Sequence, residues 1–264
     1  MSVGGMSAWG STVAQNTGSL GAAANGVHGD AVTFGPGVVP TNGDLTAVYD
    51  ESATAKTVVT HQAALNPAST SPFTIEFWAN PTDSDNDDAP VSNRFASSNP
   101  RSGWVFFQRD ATTGWNFRMY DGNGSNLGWD LTGGTATLNS WSHVVATWDG
   151  SAASLYVNGA LASSTNAAGA SGGYAASSAA DLIVAASDTG SPYLGSVDEV
   201  AFYPTALSET QILNHFNSIS SAGYQAQVRS DGALLQLSNN DVPEPSAMML
   251  MGVVGAMVMG RRRR

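Results

Sequence analysis

The sequence predicts an all-β chain, a single sandwich of two antiparallel sheets with one short helix near its end. Three observations point there. The stretch Trp141 to Ser164, WSHVVATWDGSAASLYVNGALASS, sets short apolar runs around Asp149-Gly150 and Asn158-Gly159. Those dipeptides supply the positive φ angles that tight hairpins require, so the stretch reads as a three-strand meander over Ser142 to Trp148, Leu155 to Val157 and Ala160 to Ser163. Along the first strand His143, Val145 and Thr147 face one way and Val144, Ala146 and Trp148 the other. Apolar groups on both faces mark a strand inside a sandwich. Second, GWVFFQRD, GWNFRMYD and LGWDL follow one another between Gly103 and Leu131, with turn signals at Thr112 to Gly114 and Gly122 to Ser125, which gives three consecutive antiparallel strands. Third, only 12% of the residues are charged and 29 are glycine, a composition of short strands and many turns. A chain of 264 residues suffices for one substantial core plus tails.

In order along the chain, residues 1 to 29 hold few large apolar groups and no lysine or arginine. They lack the basic start and apolar stretch of a secretory signal, and are expected to be a flexible segment whose signal lies upstream. The sandwich is expected over residues 30 to 238. Ala31 to Phe34 and Leu45 to Tyr49 are its first strands, with Gly35-Pro36-Gly37 and Asn42-Gly43-Asp44 as turn punctuation. Thr57 to Thr60 reads as a short edge strand and Phe73 to Ala79 as a stronger one. In the latter Phe73, Ile75 and Phe77 share a core face, opposite Thr74, Glu76 and Trp78. With Val145, Leu155, Val157 and Val200 they form the expected core.

The run Asp83-Ser84-Asp85-Asn86-Asp87-Asp88 places Asp83, Asp85 and Asp87 at the first, third and fifth positions of a calcium loop, where a hard dication gathers oxygen ligands. Asp88 stands where that loop needs glycine and Arg94 where it needs a glutamate, so a solvated acidic loop and a Ca2+ site at the sandwich rim both stay open. The next strands carry Trp104, Phe106, Trp115, Phe117, Tyr120 and Trp129. Most belong to the core; Trp104, Trp115, Tyr120 and Trp129 are the candidates for a carbohydrate-stacking platform.

After a Gly/Ala/Ser loop from Ala162 to Ala180 come strands at Leu182 to Ala186 and Leu194 to Tyr203. Ser208 to Ile219 is the one helix, with Ser208 and Gln211 as a capping box, Ile212, Leu213, Phe216 and Ile219 as its stripe, and Gly223 to end it. Gln225 to Arg229 and Ala233 to Leu237 flank Asp231-Gly232 as a final hairpin. Residues 239 to 246 form a linker ending in VPEPS, and 247 to 264 an apolar segment closed by Arg261, Arg262, Arg263 and Arg264. Ala247 to Gly260 would rise about 21 Å as a helix, short of a ~30 Å hydrocarbon core, so this membrane helix suits a transient anchor. The arginines hold its end in the cytoplasm, which puts the body outside.

The formal net charge is −11, and four of the ten basic residues are the terminal arginines. So acidic a body repels phosphate backbones and anionic lipid, which excludes nucleic acid as a general partner. There is no cysteine, hence no disulfide framework and no thiolate nucleophile. His28, His61, His143 and His215 are scattered without a zinc motif. Gly169 to Gly173 matches G-x-S-x-G, but in a low-complexity loop without the strand that a nucleophile elbow needs. A glycosidase needs two carboxylates facing each other across a sugar, whereas Asp198 and Glu199 are neighbours on a strand and point opposite ways.

Three blocks carry a resemblance. WSHVVATWDG with LYVNG, FTIEFWANP at Phe73 to Pro81, and GSVDEVAFYPTALSETQI at Gly195 to Ile212 resemble, in order, the concanavalin A-like, laminin-G-like jelly-roll modules of secreted proteins. Asp198 and Glu199 match that family's D-E-V block, where a structural or rim role is usual; its E-x-D-x-x-E hydrolase signature is missing. Pro243, Glu244 and Pro245, the apolar run and Arg261 to Arg264 resemble the PEP-CTERM sorting signal of Gram-negative bacteria, which an exosortase recognises at the inner membrane. The resemblances imply an exported, non-enzymatic protein of the cell surface or extracellular matrix that binds carbohydrate or exopolysaccharide, with Ca2+ as a candidate cofactor. A purely structural or adhesive matrix protein and a polysaccharide hydrolase or lyase are the alternatives.

Overall fold

The structure is a computed structural model, and it describes residues 12–39, 44–84, 87–97, 99–110, 114–219 and 223–240. The first strands are β1 (Val13–Asn16), β2 (Gly26–His28), β3 (Thr33–Pro36), β4 (Leu45–Asp50) and β5 (Thr57–Val59). Next come β6 (Phe73–Pro81), β7 (Val91–Phe95), β8 (Ser102–Gln108), β9 (Trp115–Tyr120) and β10 (Leu127–Gly133). The meander is β11 (Ser142–Trp148), β12 (Ala153–Val157) and β13 (Ala160–Ser163), followed by β14 (Leu182–Val184) and β15 (Leu194–Tyr203). Helices α1 (Glu209–Ser218) and α2 (Tyr224–Ser230) precede β16 (Leu235–Ser238).

All pairings are antiparallel and build two sheets. The first runs β10-β9-β8-β7-β14-β5-β2-β1. The second runs β13-β12-β11-β6-β15, and β15 then pairs with β4 along Leu194–Val197 and with β16 along Ala201–Phe202. Strand β1 also pairs with β16, Gln15 opposite Ser238, so the sheets join along one margin. Strand β11 lies between β6 and β12, with Val144 opposite both Phe77 and Val157. Asn158 and Gly159 both take positive φ, 52° and 77°, in the β12–β13 turn, as a two-residue hairpin demands.

The core fills the space between the sheets. Phe73, Ile75, Phe77, Val144, Trp148, Leu155, Val157 and Val200 meet Val91, Trp104, Phe106, Trp115, Phe117 and Leu131, all buried. The two outer faces differ. On the second sheet Trp78, Val145, Tyr156, Ala201 and Tyr203 are covered by Ile212 of α1 and by Tyr224 and Val228 of α2. On the first sheet the outward side holds a small buried cluster of Ala89, Ala96, Val105, Phe107 and Tyr120, and no helix among the described residues covers it. This leaves one outer sheet face for a ligand.

Four expectations need correction. The sandwich begins before residue 30, because β1 and β2 are ordered strands and Ala14 and Ala24 belong to the core. Thr57–Val59 is an inner strand between β2 and β14. Gln225 to Arg229 forms α2, so two helices close the fold; Tyr224 and Val228, four residues apart, share its buried face. Val145 is buried as expected, but under the helical layer on the outer side of its sheet and not between the two sheets. Pro243, Glu244, Pro245 and the segment through Arg264 lie outside the described residues. Within the described ones no helix is long and apolar enough to cross a membrane.

Candidate ligand-binding face

Alternation along β7 to β10 sends Trp104, Phe106, Trp115, Phe117 and Leu131 inward and sets Arg94, Phe107, Asn116, Arg118, Asp130 and Thr132 on the opposite, outer face. Register then aligns them across the strands: Val105, Arg118 and Asp130 form one row, and Phe107, Asn116 and Thr132 the next. Arg94 opposes Gly103, whose φ is +83° and where a Cβ would come within 2.1 Å of the Asn93 carbonyl oxygen. Only glycine lets β8 pass there.

Arginines crowd this face. The guanidinium carbons of Arg94, Arg109 and Arg118 lie 5.4, 5.1 and 5.4 Å from the centre of the Phe107 ring, and that of Arg101 lies 5.9 Å from the Tyr120 ring, within cation–π range. Arg94 is buried and spends its donors internally: Nε donates to Asp188 at 2.9 Å, Nη1 to the Tyr120 hydroxyl at 3.1 Å, and Nη2 to Ser187 and Thr189. Arg118 donates through Nε and Nη2 to Asp130 at 3.3 and 3.2 Å. Arg109 pairs with Asp87 and donates to Asn116 at 3.3 Å, while the Asn116 amide donates to Asp130, Thr132 and the Leu131 carbonyl. The side chains of Arg109 and Arg118 are 18% and 23% exposed. Burial, and then the neighbouring Arg118 charge, push Arg109 below the ordinary arginine range, with Asp130 and Asp110 opposing.

The aromatic candidates fall elsewhere. Trp104, Trp115 and Tyr120 are buried, and Trp129 is 9% exposed with its indole N–H donating to the Gly172 carbonyl at 2.9 Å. None offers a ring face to a sugar: Trp104 and Trp115 alternate into the core, Tyr120 lies on the outer side beneath Arg101 and against Arg94, and the long loop covers Trp129. The sequence reading missed the arginines. Their signal is in the spacing: four of the six basic residues outside the terminal tail lie between Arg94 and Arg118, at positions alternating with core aromatics.

The acidic loop is also rearranged. Asp87 turns to Arg109 with φ +74°, and Asp88 bridges to Gln108 on β8, so neighbouring carboxylates diverge; Asp85 lies outside the described residues. Asp83 instead comes together with Glu51 and Asp88, one carboxylate oxygen of each lying within 4.8 Å of the others. This all-oxygen donor set at the rim fits a hard dication such as Ca2+. A second trio, Asp44, Asp198 and Glu199, is buried. A register shift in β15 and φ +50° at Glu199 bring the two adjacent side chains to the same region, contrary to the expectation that they point apart. Val38 N–H donates to Asp198, Gln225 and Gln236 donate to Glu199, and Asn240 donates to Asp44. Burial, then the neighbouring carboxylates, push Asp198 well above the carboxylate range; burial first also raises Glu199, to about 7.

Comparison with known proteins follows the same division. Residues 50–213 match the Laminin_G_3 profile, described as concanavalin A-like lectin/glucanases superfamily, and residues 241–264 match the PEP-CTERM protein-sorting motif. No curated protein matches the chain. Similar solved structures include the binding domain of Paraclostridial Mosquitocidal Protein 1 (TM-score 0.58, 18% identity, 78% of this chain and 52% of that one). The Botulinum Neurotoxin serotype G binding domain (0.57, 15%, 79% and 50%) and Trypanosoma rangeli sialidase in complex with the inhibitor DANA (0.52, 12%, 75% and 30%) are others. At these identities the likeness is one of fold, and the chain spans about half or less of each of those chains.

Proposed function

The chain belongs to the concanavalin A-like lectin/glucanases superfamily, and from that premise we propose that it is an exported carbohydrate-binding protein of the cell surface or extracellular matrix. The observation that carries this reading is the outer face of β7 to β10, which no described helix covers and where register sets Arg118 beside Asp130 and the buried Asn116 beside Thr132, with Arg109 reaching Asn116 from the end of β8. Such a row of donors and acceptors on a rigid sheet is suited to sugar hydroxyls. The match of residues 241–264 to the PEP-CTERM sorting motif supports export with exosortase and the inner membrane as transient partners, and polysaccharide as the lasting one.

Binding is favoured over hydrolysis. On this face Asp130 is held by Arg118 and Asn116, and Asp188 by Arg94 and the N–H groups of Ala96 and Ser97. The carboxylates raised toward a proton-donating range, Asp198 and Glu199, are buried. Ca2+ is assigned to Glu51, Asp83 and Asp88 as a rim-stabilising ion. A glycan array probed with residues 12–240, with and without millimolar calcium, tests both parts. Retention of a polysaccharide class is expected, and loss of all retention contradicts the reading. Calcium is expected to raise the melting temperature in proportion to occupancy, and Asp83→Asn to abolish that rise; a melting curve indifferent to calcium and chelator removes the ion from the account.

A further inference from the structure

We propose that the carbohydrate this face selects is an acidic one, with an anionic group of the sugar seated between Arg109 and Arg118. The proposal rests on the carbohydrate-binding reading above and deepens it by naming the class of ligand. What the face offers decides the class. Neutral sugars are held by exposed rings, but on this face Phe107 is only 3% exposed under three guanidinium groups and Tyr120 is buried; Phe95, exposed at the end of β7, alternates to the side opposite Arg94. The accessible chemistry is arginine.

The distribution of charge agrees. Outside the terminal arginines the chain carries 21 acidic residues against Lys56, Arg94, Arg101, Arg109, Arg118 and Arg229. Four of those six meet on this one face. Their internal pairings are of two kinds. Arg94 is bound to Asp188 at 2.9 Å and is structural. Arg118 holds Asp130 at 3.2 and 3.3 Å, longer than the roughly 2.7–2.9 Å of a tight charge-assisted bond; Arg109 pairs through Nη1 with Asp87, which is 57% exposed, and reaches Asn116 at 3.3 Å. Arg109 and Arg118 also repel each other, a repulsion that an anion between them relieves. A carboxylate suits the planar guanidinium fork, and a sulfate ester on a sugar meets the same donors.

The acidic body does not prevent this. Ionic screening acts over about 8 Å at physiological salt, so remote carboxylates repel a polyanion weakly while contacts on the face keep their strength. Single-stranded nucleic acid is disfavoured because, among the described residues, this face presents no row of exposed rings for its bases to stack on.

The test is affinity electrophoresis and calorimetry of residues 12–240 against polygalacturonate, the same polymer with its carboxyl groups reduced to alcohols, dextran sulfate and a DNA oligomer. Polygalacturonate or dextran sulfate is expected to bind, and which of them binds more tightly names the source of the anionic group. The reduced polymer is expected to bind about tenfold more weakly, in line with loss of a charged hydrogen bond. Arg118→Gln and Arg109→Gln are each expected to weaken acidic-polymer binding about tenfold. Asp130→Asn is expected to tighten it, because it removes the anion already at Arg118; a variant that merely damages the fold cannot do that. Equal binding of the reduced polymer overturns acid selection while leaving carbohydrate binding intact. Tighter binding of DNA overturns it as well. If none of the polysaccharides binds, both readings fall.

Discussion

Glu76 shows what a single residue contributes to this fold. It lies fully buried on the outer side of the second sheet, where Tyr203 donates to it at 2.6 Å, His215 Nδ1 sits at 2.9 Å and His143 Nε2 at 3.3 Å. The other nitrogen of His215 faces Asp231 at 2.8 Å, and only the imidazolium donates from both nitrogens. Burial opposes ionisation of Glu76, but the hydrogen bonds and charge of the two histidines hold it well below the usual range. Burial likewise opposes charging of His215, and Glu76 and Asp231 raise it overall. Removing one member of such a buried pair strands the other, so Glu76→Gln is expected to cost about 3–5 kcal/mol in denaturant unfolding. A cost near zero contradicts the network.

Glu199 makes a pH-dependent prediction of opposite character. Its raised pKa means that its contribution is fully present below about 4.5 and is lost as pH rises through about 7. From that shift the loss is on the order of 3 kcal/mol. His28, lowered by burial to about 4, contributes above its unfolded value near 6.5 and is lost as pH falls, so the two partly cancel in the wild-type curve. The difference between proteins separates them: Glu199→Gln is expected to raise the melting temperature more at pH 8 than at pH 5. An equal shift at both pH values refutes the assignment.

At the scale of the element, the strands fixed by turn chemistry or strong alternation were legible. Ser142–Trp148 and Leu194–Tyr203 fall where the residues alone put them, as does the capping box of α1, where Ser208 Oγ accepts from Gln211 N–H and the Gln211 side chain accepts from Ser208 N–H. What escaped the sequence were elements held by partners distant in the chain. Val13–Asn16 has little apolar content, and its ladder is supplied by β16, more than 200 residues away. Tyr224 to Ser230 is polar and short, so period two and period 3.6 fit it equally until the sheet selects the helix face. A chain starting at residue 30 lacks β1 and β2, exposing Leu235 and Leu237 along that margin. It is therefore expected to melt well below residues 12–240; equal melting of the two would show that the N-terminal strands are dispensable.

For the whole molecule, the asymmetry of the two outer faces organises function. One sheet is covered by α1 and α2 over a buried charged network; the other has no described helix over it and carries four of the six basic side chains that lie outside the terminal arginines. The candidate site was not legible for the same reason that the fold was. The aromatic residues that mark the strands are the residues that the strands bury, which leaves the ligand to the polar positions between them. A competing surface exists in the open groove of about 420 Å³ lined by Thr135, Thr137, Asn158 and Leu161 beside β13. Amide hydrogen exchange of residues 12–240 with and without a bound oligosaccharide separates the two. Protection is expected in β7 to β10, centred on Asn116 and Arg118, and unchanged exchange there with protection around Leu161 would contradict the account.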